Sequence, residues 1–337
     1  MRATIRQVAE HAQVSRMTVS NVLRGRDSEA SPQTRERVLA AVRSLGYVPV
    51  NPPSRQSSHT PTRIIGLFYE EVKLDEYWGF QTSLGLHEGA IEHNYDLLTM
   101  LRTRSGELIG EEELRFLDRR SDGFIFLGPT GQAGVLRTLV QHEIPVVTTF
   151  TDENVKGVSS VVLDNEKAME LAVNHVCEAG HRKLAFIGGP KARSDFRARA
   201  KGFQRTAGVL GYQSYIFDMA TEGWPQIQNW VEEVFSLVVQ KKVTAVVCAT
   251  DYSAVELITL AGKQGLKIPQ DFSLIGMDDI QLYKAKNLTT IRYSPSEVGR
   301  RSVEAITYRL AGDKASQCNF VVPVELKIRK SVSAPKK

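Results

Sequence analysis

The first 25 residues carry the pattern that most constrains how this chain folds. Thr4 is followed three residues later by Gln7, which is the capping-box pattern of a helix start near Ile5. Ser15 can cap a second helix after a very short turn. Apolar residues follow each cap at helical spacing: Val8, Ala9 and Ala12 in the first helix, and Val19, Val22 and Leu23 in the second. Two short amphipathic helices joined so tightly are typical of a DNA-binding helix-turn-helix.

The second predicted helix leaves several side chains facing away from its apolar side. We treat these as candidate groove contacts: Arg16, Met17, Ser20, Asn21 and Arg24. A third helix is predicted from Ser31 and Pro32 to Leu45, where Gly46 ends it. The alternative is an ordinary three-helix surface bundle, but such a bundle has no need for polar side chains at the start of its second helix. We therefore assign residues 1–46 to a DNA-binding domain.

The charge distribution supports this assignment. Residues 1–60 contain nine Arg, no Lys and four acidic residues, whereas the remaining 34 basic and 34 acidic residues cancel. The net charge of +5 therefore belongs to the predicted DNA-binding end, where it can neutralise phosphates.

A Pro- and Ser-rich stretch, residues 47–62, reads as a hinge or linker. Asn51 followed by Pro52 and Pro53 could start a short helix there, but only against a partner such as DNA.

Length and composition constrain the remainder. A chain of 337 residues that is 42% hydrophobic exceeds one compact domain. The sequence shows no signal-like segment and no long apolar run, so we expect a cytoplasmic protein without a membrane partner. Cys177, Cys248 and Cys318 are isolated within apolar segments and are expected to be buried thiols, with no disulfide, no metal site and no cofactor.

From residue 63 onward, short β-branched runs alternate with helical stretches, which predicts parallel sheet covered by helices. About eight such units would crowd one sheet, so two doubly wound lobes with a ligand cleft at the carboxyl ends of the strands are expected. The predicted strands are Ile64 to Phe68, Tyr95 to Thr99, Gly123 to Leu127, Val146 to Phe150, Ser160 to Leu163, Leu184 to Ile187, Val243 to Ala249 and Phe272 to Met277.

Several motifs resemble the LacI/GalR family of bacterial transcription regulators. They include Thr-Ile-x-x-Val-Ala from Thr4, Val-Ser-x-x-Thr-Val-Ser from Val14, Leu-Gly-Tyr-x-Pro from Leu45, Gly-His-Arg-Lys from Gly180 and Gly-Met-Asp-Asp from Gly276. The resemblance covers essentially the whole chain. It implies an all-α helix-turn-helix headpiece and an α/β periplasmic-binding-protein-like core with two doubly wound parallel-sheet lobes. It also implies a homodimer or tetramer that binds a pseudo-palindromic double-stranded operator and senses a small molecule. We expect lobe one at about 63–162 and 291–320, and lobe two at about 163–290 and 321–334.

The resemblance implies a set of DNA contacts: Thr4, Ser15, Arg16, Met17, Thr18, Ser20, Asn21, Arg24, Tyr47 and Arg55. Three features depart from the family pattern. Asn21 stands where Arg is common, which shifts the preferred base from guanine towards adenine. Gln13 replaces a turn glycine and puts the left-handed turn in question. The hinge around Arg55 lacks the Leu that wedges into the minor groove, so weaker DNA bending is predicted.

For the effector domain, the resemblance implies these contacts: Glu70, Tyr77, Trp78, Phe150, Arg199, Trp224, Thr250 and Asp278. Arg193, Arg197, Lys201 and Arg205 repeat every four residues and are expected on a solvated face. Arg199 instead shares an apolar face with Phe196 and Phe203, so it requires either an internal carboxylate or a ligand as partner. Asp278 follows a predicted strand at the cleft edge.

The sequence therefore predicts a DNA-binding transcriptional repressor controlled by a small molecule, for which the aromatic set favours a sugar or sugar derivative. Phe150 stands where some sugar-binding members have a polar contact, so a purine or another metabolite stays open. A protein co-regulator is a further alternative, which an internally paired Arg199 would favour. No catalytic motif is present, and an enzyme is not expected.

Overall fold

The computed structural model describes residues 4–23, 30–45, 47, 61–69, 77–101, 116–117, 120–128, 133–219, 228–312 and 317–336. The predicted linker contacts around Asn51 and Arg55 lie outside these residues. The chain divides into two compact units, one formed by residues 1–64 and 107–122 and the other by residues 65–106 and 123–337.

The first unit contains three short helices, α1 (Ile5–His11), α2 (Arg16–Leu23) and α3 (Pro32–Leu45). The predicted caps are confirmed: Thr4 and Gln7 form a complete capping box, the Thr18 amide donates to Ser15 Oγ (3.0 Å), and Ser31 caps α3. Fully buried valines from all three helices, Val8, Val19 and Val38, form the centre of the core. Side-chain caps replace the amide partners that such short helices lack internally.

The turn between α1 and α2 keeps its left-handed geometry without glycine. Gln13 has φ 53°, and the Val14 amide donates to the Ala9 carbonyl at 3.0 Å. The concern raised by Gln13 is therefore resolved in favour of the regular turn, although a side chain at positive φ carries a conformational cost.

The second unit contains two six-stranded sheets. The first sheet has the order β11-β5-β4-β3-β1-β2, and its registered pairs are parallel. Its strands are β1 (Ile64–Tyr69), β2 (Asp96–Leu101), β3 (Gly123–Leu127), β4 (Val146–Thr149), β5 (Ser159–Leu163) and β11 (Phe320–Val322). The helices α4 (Tyr77–Glu92), α5 (Ala133–Gln141) and α10 (Pro295–Leu310) accompany it.

The second sheet has the order β12-β10-β9-β8-β6-β7. It is parallel except where β10 meets β12. Its strands are β6 (Lys183–Pro190), β7 (Gln213–Met219), β8 (Ala245–Cys248), β9 (Ser273–Met277), β10 (Thr289–Arg292) and β12 (Glu325–Lys327). The helices are α6 (Asn165–Glu178), α7 (Ser194–Val209), α8 (Gln228–Val239) and α9 (Asp251–Lys263), with a 3-10 turn at Gln281–Lys286.

All eight predicted strands are present, but β7, β10, β11 and β12 were missed. Strands β11 and β12 are only three residues long, too short to show a hydrophobic period. The proposed lobe limits at 291 and 320 fall inside strands and need correction, because β10 lies wholly in the second sheet and β11 wholly in the first. The chain thus crosses between the sheets after β5, after β10 and after β11.

Helices α4 and α10 pack backbone against backbone. A Cβ on Gly85 would lie 1.9 Å from the Ser296 carbonyl oxygen, and one on Gly299 would lie 2.2 Å from that of Thr82. Both positions therefore require glycine because the two helix backbones approach each other too closely for a side chain, and not because of an unusual backbone conformation.

The cysteines are free thiols. Cys177 and Cys248 are buried, but Cys318 is only half-buried, which corrects the expectation for that residue. None of the described helices combines the length and the apolar character needed to cross a membrane.

Candidate functional site

The start of α2 presents the predicted base-contacting side chains. Arg16 is exposed, and Met17 is 71% exposed, which is unusual for a large apolar side chain with no packing role. Ser20 and Asn21 are half-buried on the same helix. An exposed cation and an exposed apolar side chain at one helix start can contact a phosphate or a base edge and a thymine methyl group.

The other predicted DNA contacts serve the headpiece structurally. Thr4 is the N-cap of α1, and Ser15 and Thr18 hydrogen-bond through their hydroxyls at 2.9 Å. Tyr47 is half-buried, packs against the headpiece core and donates its amide to the Val42 carbonyl (3.0 Å). Arg24 and Arg55 lie outside the described residues.

In the second unit, Arg199 on α7 is buried, with 4% exposure. Its Nε donates to Asn165 Oδ1 (2.8 Å), its Nη1 donates to the Ala249 carbonyl (2.6 Å), and its Nη2 lies 4.0 Å from Asp195 Oδ2. The predicted apolar neighbour Phe196 lies beneath the guanidinium, 5.2 Å from its ring centre. The sequence left two partners open for Arg199, an internal carboxylate or a ligand; the structure places an internal carboxylate, that of Asp195, beside it.

Asp195 is the carboxylate of this group. Burial alone would raise its pKa, but Arg193 and Arg199 act more strongly together, and the pKa of Asp195 lies below its usual value. Arg193 forms a two-point ion pair with it, with Nη2 at 2.7 Å from Oδ2. This corrects the expectation that Arg193 lies on a solvated face, whereas Arg197, Lys201 and Arg205 are exposed.

Asp278 follows β9 at the carboxyl edge of the second sheet and is only 9% exposed. Burial raises the pKa of Asp278 to about 8, with Arg199 opposing and Asp251 adding to the increase. Burial likewise raises the pKa of Asp251 to about 6. Asp251 accepts from Thr290 Oγ1 at 2.6 Å and donates its amide to Asp278 at 3.4 Å. Such a carboxyl is held partly neutral by desolvation, a state common at functional sites.

An aromatic cluster lies beside these charges. Phe150 follows β4 at φ 65° and is 6% exposed. It contacts Trp78 of α4 edge-on (5.3 Å between ring centres) and Tyr293, after β10, at 6.2 Å. The Tyr293 hydroxyl hydrogen-bonds Asp278, and burial raises the pKa of Tyr293. Through Tyr293, on the crossing after β10, the cluster that Trp78 and Phe150 of the first lobe form thus connects to the buried carboxyl of the second.

The remaining predicted contacts are dispersed. Tyr77 is the half-buried first residue of α4. Thr250 is buried and caps α9 by accepting from the Ser253 amide (3.2 Å). Glu70 and Trp224 lie outside the described residues.

Sequence reasoning missed four members of this site: Asn165, Asp195, Asp251 and Tyr293. Asp195 lies four residues before Arg199, a spacing that places both side chains on one helix face and could have indicated the pair. The other three reach the site through the fold, since Asn165 and Tyr293 adjoin two of the crossings between sheets.

A groove of about 630 Å³ opens beside the site and is lined by residues of both lobes, including Phe150, Asn165 and Asp195. Across it, the Asp152 amide donates to Ser194 Oγ at 3.0 Å, which links the β4 end to the start of α7.

Comparison with known proteins gives two family matches. Residues 4–50 match the description "bacterial regulatory proteins, lacI family", and residues 173–332 match a periplasmic-binding-protein-like domain. The chain belongs to the lacI family. It is a DNA-binding transcriptional repressor with an effector-binding core of the periplasmic-binding-protein type, as the resemblance predicted.

Relatives of this lacI-family protein align over nearly its full length. The transcriptional repressor PurR of Photobacterium profundum is 28% identical over 98% of both chains. The repressor CytR of Escherichia coli is 28% identical over 98% of this chain and 97% of its own. Among solved structures, the lac repressor dimer bound to operator and the anti-inducer ONPF is 25% identical with a TM-score of 0.70 and covers 99% of this chain and 100% of its own. The complex of the regulator CelR with cellobiose is 24% identical with the same TM-score of 0.70, covers 98% and 100%, and supports the fold.

Proposed function

We propose that this lacI-family repressor acts as a homodimer whose paired headpieces bind a pseudo-palindromic operator. A small molecule that enters between the two lobes of the core changes the affinity for DNA. The observation that supports this most strongly is a buried, partly neutral Asp278, whose pKa the buried Arg199 lowers, beside the aromatic cluster that Phe150 and Trp78 of the other lobe form with Tyr293. Groups from both lobes then gain or lose contacts together when the lobes move.

The effector that fits this chemistry best is a sugar or sugar derivative. Asp278 can accept paired hydroxyl hydrogen bonds, and a guanidinium donates in a fixed fork to ring or hydroxyl oxygens. The faces of Trp78 and Phe150 provide apolar surface for the C–H side of a sugar ring. Because Phe150 contributes no polar atom, a purine or another planar metabolite is the second class, for which the same rings would stack.

One observation favours a different regulator, a protein partner. Arg199 already has hydrogen bonds to Asn165 and the Ala249 carbonyl, so it has no structural need of a ligand. A core that answers to a protein co-regulator would keep these contacts permanently, whereas an effector-binding core would exchange some of them.

A second copy of this chain is the partner we assign to the outer face of α4. Phe80, Leu84 and Ile91 recur at spacings of four and seven on one helix face and are 51%, 42% and 76% exposed. A contiguous apolar stripe of this kind is typical of a subunit interface. Sedimentation analysis of Ile91→Glu tests this: the account expects dimers of the native chain and monomers of the variant, and a monomeric native chain would contradict it.

The effector proposal is tested by a thermal-shift panel of hexoses, pentoses, disaccharides, uronic acids, sugar phosphates and purines. A ligand at about 100 times its Kd adds roughly 2.7 kcal/mol to stability. Its effect should vanish in Asp278→Asn and persist in Asp271→Asn, a half-buried carboxylate of the same lobe paired with Lys336. No shift from any class would favour the protein partner, and an equal shift in both variants would reject the site.

A further inference from the structure

The turn that carries Asp278 has an uncommon backbone. Asp278 has φ 126° and Asp279 has φ 53°, so two successive residues with side chains lie at positive φ. Such geometry persists only where surrounding contacts hold it. Two of these contacts are direct: the Asp278 amide donates to the Ile291 carbonyl (2.8 Å), and the Ile280 amide donates to Asp251 Oδ2 (3.0 Å).

A third contact comes from a distant part of the chain. Arg329, two residues after β12, donates through Nη2 to the 4%-exposed carboxylate of Asp279. Its Nη1 donates to the Leu288 carbonyl (2.7 Å), and its amide donates to Thr289 Oγ1 (3.0 Å). One side chain thus joins the turn after β9 to the start of β10.

Arg329 is itself anchored by the chain that follows. Ser331 is buried; its Oγ donates to the Leu274 carbonyl (2.6 Å) and accepts from the Thr289 amide (2.8 Å). The Leu274 amide donates to the Ser331 carbonyl at 2.8 Å. These hydrogen bonds hold the backbone next to Arg329 in place, so its guanidinium is positioned to hold the Asp279 carboxylate. Arg292, 49% exposed and 3.8 Å from Asp279, is a weaker substitute.

We propose that Arg329 is a positioning residue of the effector site, which clamps Asp279 and thereby holds the Asp278 carboxyl in its buried orientation. The role in effector binding rests on the proposed function, whereas the clamp itself can be measured without any effector. Arg329 acts through Asp279 and does not itself contact the ligand.

The experiment uses the full chain labelled at aspartate Cγ with ¹³C, with the Asp278 resonance identified by its loss in Asp278→Asn. Asp278 is faced by Arg199 of α7, Asp251 of α9 and Tyr293, and the test variants leave all three unchanged. The variants are Arg329→Gln and Asp279→Asn, which break the clamp from either side. Lys330→Gln, which removes an equal charge from an exposed neighbour, is the control.

A clamp predicts that both variants lower the midpoint of the Asp278 titration by at least half a pH unit, because the released carboxyl becomes hydrated. The double variant should shift no further, and Lys330→Gln should leave the midpoint unchanged. A plain charge effect predicts opposite signs instead, since loss of a cation raises the midpoint and loss of an anion lowers it.

Opposite signs, or an unchanged midpoint in folded variants, would overturn the proposal. If Arg329→Gln does not fold, Asp279→Asn and Arg329→Lys, which keeps the charge and loses the fork, supply the same comparison. A lowered midpoint in a protein that binds no member of the effector panel would retain the clamp and reject the proposed function.

Discussion

Replacing Asp278 by Asn should stabilise the core of this repressor, and more so at alkaline pH. Asp278 is raised in pKa by burial to about 8, whereas an unfolded-state Asp has a pKa of about 3.9. When the pKa of a group is higher in the folded than in the unfolded protein, its contribution to the free energy of unfolding is fully present below the unfolded-state pKa. That contribution is lost as the pH rises through the folded-state pKa. Stability should therefore decline between about pH 4 and pH 8, and Asn removes this decline.

The magnitude follows from the size of the window. One pKa unit corresponds to about 1.4 kcal/mol, so three pH units between pH 5 and pH 8 set a ceiling of about 4 kcal/mol. Asp251 shares the titration. We therefore expect the gain from Asp278→Asn to be roughly 2–4 kcal/mol larger at pH 8 than at pH 5. Asn keeps an acceptor for the Asp251 amide, so the packing is preserved.

Urea unfolding followed by Trp fluorescence provides the assay. The three Trp residues of the chain, Trp78, Trp224 and Trp230, all lie outside the headpiece, so their signal reports on the core. Asp271→Asn is the control, since the hydrogen bond and ion pair with Lys336 lower the pKa of Asp271. Its loss should therefore destabilise the core slightly, and by about the same amount at pH 5 and pH 8. Equal effects of Asp278→Asn at the two pH values, or a larger gain at pH 5, would refute the reasoning.

Four further substitutions test the fold and the headpiece. Arg199→Ala should lower the core unfolding free energy by about 3 kcal/mol in the same urea assay, because Asp195 loses one of two cations and buried acceptors lose a donor; a loss under 1 kcal/mol would contradict this. Gln13→Gly should slow hydrogen exchange in α1 and α2, consistent with about 1 kcal/mol of relieved strain; faster exchange would argue against it. Gly299→Ala should cost about 1–3 kcal/mol or prevent folding, since the added methyl meets the Thr82 carbonyl; an unchanged urea midpoint would show that the helices separate easily. Met17→Ala should leave headpiece stability within about 0.5 kcal/mol and weaken DNA binding; unchanged affinity for a duplex obtained by selection with the full chain would exclude a contact there.

The headpiece was predictable nearly residue by residue because its information is local. Thr4, Ser15 and Ser31 cap helices within three residues of themselves, and a cap followed by an apolar period is visible in any sequence. The eight strands that were predicted carry an apolar, β-branched pattern of the same local kind. Strands β11 and β12 derive their identity from pairing across more than 30 residues of chain, which no local pattern records.

The proposed effector site was predictable in its principal charged residues, Arg199 and Asp278, but not in the residues that contact them. Asp278 could be placed because a residue after a parallel strand lies at the cleft edge. The partners of Arg199 include a backbone carbonyl at Ala249 and an amide oxygen at Asn165. Those contacts depend on how α6, α7 and β8 converge, so sequence reasoning left the partner of Arg199 open.

The central claim is that occupancy of the core changes DNA affinity. The most direct measurement is fluorescence anisotropy of a duplex obtained by selection with the full chain, titrated with and without the panel compound that stabilises the protein. The account predicts a pseudo-palindromic duplex whose Kd changes about 5- to 150-fold with the compound, and no change in Asp278→Asn. A stabilising compound that leaves the Kd unchanged, or a selection that enriches no two-fold sequence, would contradict the account.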